Sequence, residues 1–156
     1  MCWTEISDEN SIRELMTAFM GFHDSCIVSI SYNSGAYVNE EKAMGCGDKD
    51  EHSLTMTLCS QWANPLELYF SGVRKCVIKG FSEYYFCDIF GDSLQFRTDL
   101  LGKTRDDRLI VCADYENFDP LLHREEYPLD NGHEVTYIIA EKLKYRFLDR
   151  EGGEPE

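Results

Sequence analysis

Basic residues are scarce in this chain: 15 lysines and arginines stand against 29 aspartates and glutamates, for a net charge of −14. That shortage excludes a generic nucleic-acid binder, whose affinity comes largely from neutralising phosphates. A basic partner is the direction the charge permits. Long apolar runs are missing too. None approaches the 18 or more residues of a membrane-spanning helix, and the N-terminus, MCWTEISDEN, is already charged by residue 5, which is unlike an export signal. No CxxC occurs, and the seven cysteines (2, 26, 46, 59, 76, 87 and 112) show no paired spacing. Neither a disulfide framework nor a zinc knuckle is indicated. Free thiols in a cytoplasmic protein are therefore expected, with no cofactor and no metal.

What is present suits one folded domain. A chain of 156 residues with 43% hydrophobic and 13% aromatic residues has ample material for a core. The acid excess is confined to residues 1–25, 38–52, 104–126 and the end from 148, while the stretches between are neutral. One domain is expected over 1–148, followed by a disordered acidic tail, 149–156.

Ser11-Ile12-Arg13-Glu14 matches a capping box, and Ile12, Leu15, Met16, Phe19 and Met20 recur at helical spacing. A helix is predicted over about 12–20, ending at Gly21. The period then changes to two, with Cys26, Val28, Ile30 and Tyr32 on one side of a strand. Asn33-Ser34-Gly35 supplies turn chemistry for a hairpin into Ala36-Tyr37-Val38. After the acidic segment 39–52, short strand-like runs follow at 53–61, 66–71, 73–79, 84–90, 93–98 and 108–114, with no room for crossover helices. The last run, 135–147, alternates as one long strand through Val135, Tyr137, Ile139, Leu143, Tyr145 and Phe147, though its second half also has helical character. The expected fold is mainly β: an antiparallel sandwich or open barrel with one N-terminal helix.

Chemical motifs are weak. His23-Asp24 has the composition of a base and its orienter, but neighbours entering a strand point to opposite faces, so a structural join is the better reading. His23, Cys26, Cys46 and His52 lack metal-site spacing. Gly45-Cys46-Gly47 lacks the rest of a phosphate loop, and Asp48, Asp50 and Glu51 would repel phosphate. The aromatics Tyr69, Phe70, Tyr84, Tyr85, Phe86 and Phe90 fit either a ligand cavity or an ordinary β core.

The helix followed by Phe22-His23-Asp24-Ser25 and a strand, the Leu66-x-Leu-x-Phe-x-Gly-Val73 stretch read as a hairpin, and the closing YIIAEKLKYRF (137–147) together resemble a group of small, mostly uncharacterised bacterial proteins. Some of these are similar to immunity proteins of polymorphic toxin systems. The resemblance spans most of the chain and implies a β-rich domain with an inhibitory partner, without supplying catalytic residues. The leading expectation is a non-catalytic binding module that meets a basic protein through Glu40, Glu41, Asp48, Asp50 and Glu51 on an exposed loop. The alternative is a small-ligand-binding β domain or enzyme with an aromatic-lined pocket.

Overall fold

A computed structural model describes residues 2–80, 87–89, 91–102, 107–124 and 134–149. Of the readings above, the aromatics Tyr84, Tyr85, Phe86 and Phe90, most of the 84–90 run, and the tail from 150 lie outside the described residues.

The elements run β1 (Thr4–Glu5), α1 (Glu9–Ala18), β2 (Ser25–Asn33), β3 (Ala36–Val38), β4 (Met44–Cys46), β5 (Ser53–Ser60), β6 (Leu66–Val77), β7 (Asp88–Ile89), β8 (Ser93–Arg97), β9 (Leu109–Ala113) and β10 (Tyr137–Phe147). The main sheet has the order β7-β2-β5-β6-β10-β9-β8, and every pairing in it is antiparallel. It curls into a half-barrel, so the open-barrel form of the expectation is the one realised. β10 is long enough to serve two strands along one edge: its first half pairs with β9 and its second half with β1.

Helix α1 starts earlier than its sequence pattern indicated. Asp8 is the N-cap: its Oδ1 accepts from Ser11 N (2.8 Å), while Ser11 Oγ accepts from Asp8 N (3.1 Å). The reciprocal box is therefore Asp8 with Ser11 and not Ser11 with Glu14, because a carboxylate is as good a cap as a hydroxyl. Ile12, Leu15 and Phe19 bury the apolar face of this segment against the concave side of the sheet. The helix ends at Ala18, and the chain then makes a tight left-handed turn in which Met20, Gly21 and Phe22 all have positive φ. Only glycine adopts that region freely. The turn swings Phe22 into the core, edge-on to Phe19, and leaves Met20 exposed instead of continuing the helical stripe.

Strand β2 carries a bulge at Val28. Register runs Cys26↔Cys59 and Ile27↔Leu58, then resumes at Ser29↔Thr57 and Ile30↔Met56. One inserted residue reverses the alternation. Ser25, Ile27, Ile30 and Tyr32 share a face with Leu58, Met56 and Leu54, whereas Cys26 and Val28 do not, contrary to a single period of two through residues 26–32.

Residues 66–77 form one strand, not a hairpin. β6 passes straight through Gly72, whose φ is +64°, and an extra residue, Arg74, is accommodated where the register to β10 shifts. A Cβ at Gly72 would stand 2.8 Å from Glu141 Cβ. The kink changes which face is buried: Leu66, Leu68 and Phe70 face the main core before it, Val73 and Cys76 after it. β10 switches in step. It is one strand, as its β-branched and aromatic content indicated, but Tyr137 and Ile139 pack with Leu109, Val111, Phe118 and Val135 in a second cluster, while Ile138, Ala140, Leu143 and Tyr145 pack in the main one. β9 is consequently buried on both faces.

Candidate functional site

The acidic segment is not an irregular loop. β3 pairs with β4 (Ala36↔Cys46, Tyr37↔Gly45, Val38↔Met44) as a two-stranded arm separate from the main sheet, so Asn33-Ser34-Gly35 does not turn β2 back on itself. Asn39 builds the tip: its backbone N–H donates to Ala43 O (3.0 Å), its Oδ1 accepts from Ala43 N (2.8 Å), and its carbonyl accepts from Lys42 N (3.0 Å). Such side-chain-to-backbone bonds are what suits asparagine to tight turns. At the base, Gly35 N donates to Asn33 Oδ1 and Gly47 N donates to Gly35 O (2.8 Å). A 3-10 turn over Lys49–Glu51 then anchors the arm to the sheet, where Lys142 Nζ reaches Asp50 Oδ1 (3.2 Å) and Lys49 Nζ reaches Glu141 (3.5 Å). Glu141 is shared with Arg74.

All five predicted contact residues are exposed: Glu40 and Glu41 sit on this arm, and Asp48, Asp50 and Glu51 on the 3-10 turn that anchors it. They are not equivalent. Asp50 is already paired with Lys142, and the Glu51 side chain lies over Gly47, where it fills the space a Cβ would take. Glu40 and Glu41 crown the tip and Asp48 stands at the base. Between them the arm displays apolar side chains that charge patterning alone did not reveal: Met44 is 90% exposed, Val38 65% and Tyr37 54%. The available signal was the pair of short apolar runs flanking Asn39–Ala43, masked by the acids between them.

The His23-Asp24 join is closer to a catalytic dyad than its sequence suggested. Asp24 has φ +54°, and this left-handed residue brings the two side chains to the same side, with His23 Nδ1 2.9 Å from Asp24 Oδ2. The expectation of opposite faces fails because it assumed extended backbone at residue 24. Trp62 Nε1 donates to the same Oδ2 (3.0 Å); this bond, followed by that from His23, holds the Asp24 carboxyl below its usual range. The adjacent hydroxyl is turned away: Ser25 Oγ is buried and donates to Phe22 O (2.6 Å). Gln61 N donates to Asp24 O (3.2 Å), so the cluster clamps the start of β2 to the end of β5. Architecture accounts for every bond described there.

Other groupings separate. Of His23, Cys26, Cys46 and His52, the contact formed is Cys46 Sγ to His52 Nε2 (3.5 Å), at the base of the arm. No cluster of three or more metal-ligating side chains occurs among the described residues. Tyr69 and Phe70 point to opposite faces of β6: Phe70 is in the core, while Tyr69 makes a tilted ring contact with Trp3 and lies beneath Lys144. They do not line one cavity.

Within the sheet's core a void of about 10 Å³ lies among Ile27, Leu58, Ile89, Asp92, Cys112 and Ile138. That is about the volume one water needs. Asp92 Oδ1 is buried there without a hydrogen-bond partner, while Oδ2 accepts from Cys112 Sγ (3.8 Å). Burial, with Asp114 adding to it, pushes the Asp92 carboxyl well above the ordinary carboxylate range. Outside, a polar cleft of about 620 Å³ runs along β8 past Ser93, Gln95, Arg97 and Glu116. Arg97, which lines it, is engaged: it is clasped by Asp99 (2.7 Å) and Asp119 (3.2 Å).

No family model, curated protein or solved structure matches the chain.

Proposed function

We propose that the protein is a cytoplasmic, non-catalytic binding module whose contact element is the β3–β4 arm, and that its partner is a basic protein. The observation that carries this reading is the composition of the arm: exposed Tyr37, Val38 and Met44 sit between the acids Glu40 and Glu41 at one end and Asp48 at the other. An isolated two-stranded hairpin is marginal in water, and exposed apolar side chains rimmed by charge are the usual composition of a protein contact. The acids would steer a positive surface into place and the apolar centre would supply the residence time. The resemblance to immunity-type proteins supports an inhibitory form of this role, with a basic toxin as the target.

The test uses two variants of the full chain, Met44→Asp and the triple reversal Glu40→Lys, Glu41→Lys, Asp48→Lys. A partner captured by the wild-type protein should be basic and should be lost with Met44→Asp. Its association rate should fall about tenfold or more with the triple reversal at low salt, and the difference should shrink as salt rises. Capture and rates unchanged in both variants would reject the arm as the contact.

A further inference from the structure

Two of the seven cysteines share the face of the sheet turned away from the main core. Cys26 in β2 and Cys59 in β5 are direct partners across the antiparallel ladder, and Asp88 in β7 is the partner of Cys26 on its other side. Direct partners project their side chains on the same face. Ile27 N donates to Cys87 O (2.9 Å), towards β7, so the amide groups of Cys26 point the other way, towards β5. Cys26 and Cys59 are thus a hydrogen-bonded pair, for which the α-carbons stand about 5.5 Å apart, inside the roughly 4.4–6.8 Å that a disulfide bridges.

Access and chemistry are suited to the same conclusion. Cys26, Cys59 and Cys87 are all half-buried, whereas Cys112 is fully buried beside Asp92. Burial, with Cys59 and Asp88 adding to it, raises the Cys26 thiol above its ordinary range. That slows attack by the Cys26 sulfur and suits it to the second, resolving step.

We propose that Cys26 and Cys59 are an oxidative modification site, a dithiol that closes to a reversible cross-strand disulfide when the protein meets hydrogen peroxide. The Cys59 thiolate attacks the peroxide O–O bond, taking one oxygen as the sulfenic acid and releasing the other as water after protonation. The Cys26 sulfur then displaces that hydroxyl, forming the S–S bond; its own proton leaves with the hydroxyl as a second water. Two thiols are oxidised and one peroxide is reduced to two waters. A thiol-containing reductant returns both sulfurs to the free state by exchange.

The experiment treats the reduced wild-type protein with hydrogen peroxide, alkylates the remaining thiols, digests without reductant and locates linkages by mass spectrometry. A Cys26–Cys59 cross-link, two hydrogens lighter than the separate peptides and abolished by dithiothreitol, is the expected product. It should persist in Cys87→Ser and be absent from Cys59→Ser. A main product joining Cys87 to either residue, or sulfinic acid at Cys26 or Cys59 without any cross-link, would overturn the assignment.

Discussion

Replacing Asp92 with Asn isolates the energetic cost of one buried acid. In the folded protein the Asp92 carboxyl is neutral over a pH range that extends well above the ordinary carboxylate value, because its Oδ1 is shut away beside an apolar void with no partner. In the unfolded chain the same group ionises near pH 3.9. Its folded pKa is raised, so its contribution to stability is fully present below pH 3.9 and is lost as pH rises towards the folded value. Between those limits unfolding releases one proton, and stability falls by about 1.4 kcal/mol per pH unit from this residue alone. Asn has the shape of the neutral acid and cannot ionise. The two proteins should therefore be about equally stable near pH 3.5, and the variant should gain on the wild type by about 1 kcal/mol between pH 4.5 and 5.5. Urea titrations followed by tryptophan fluorescence would measure the difference, with the acids remote from residue 92 cancelling between the two proteins. Parallel stability curves over that interval would refute the reasoning, since they would mean that Asp92 is solvated or paired.

Gly72→Ala should cost at least about 1–2 kcal/mol by chemical denaturation, because the left-handed backbone at φ +64° is strained for alanine and its Cβ would press on Glu141. Leu68→Ala, at a fully buried position between β5 and β10, should cost about 2–5 kcal/mol in the same assay. Trp62→Phe removes the principal hydrogen bond to Asp24, so the pKa of that carboxyl, followed by NMR titration, should rise towards its ordinary value. The triple reversal on the arm should leave stability within about 0.5 kcal/mol of wild type, since Glu40, Glu41 and Asp48 are exposed and the anchoring pair Asp50–Lys142 is untouched.

The features legible in the sequence were those carried by uninterrupted local pattern. The strict alternation of Leu54, Met56 and Leu58, and of Leu66, Leu68 and Phe70, declared two core strands, and the structure places all six in the main core. The spacing of Ile12, Leu15 and Phe19 declared the helix face. What escaped were single residues that change the phase of a pattern. Val28 inserts itself into β2 and Arg74 into β6, and nothing in the chemistry of either side chain announces a bulge. Positive φ at Asp24 joins two side chains that alternation would separate, and positive φ at Gly72 kinks a strand where glycine ordinarily suggests a turn. The candidate contact residues were legible as acids on an exposed segment. The arm that presents them was not, because three-residue strands carry too little periodicity to stand out from the loop around them.

The position of β10 governs the order in which the fold can be assembled. β2, β5 and β6 are sequential neighbours within the main sheet and can pair as soon as residue 77 is available, but β6 then waits with one edge open through the next 60 or so residues. Only when β10 arrives are β6, β9 and β1 joined to a common strand. Until that moment the longest strand in the molecule, Leu66–Val77, exposes a row of unpaired amides beside a half-covered apolar face. During synthesis this intermediate is the species most prone to pair with a second copy, so shortening the delay before β10 docks should raise the soluble yield more than strengthening any contact already formed.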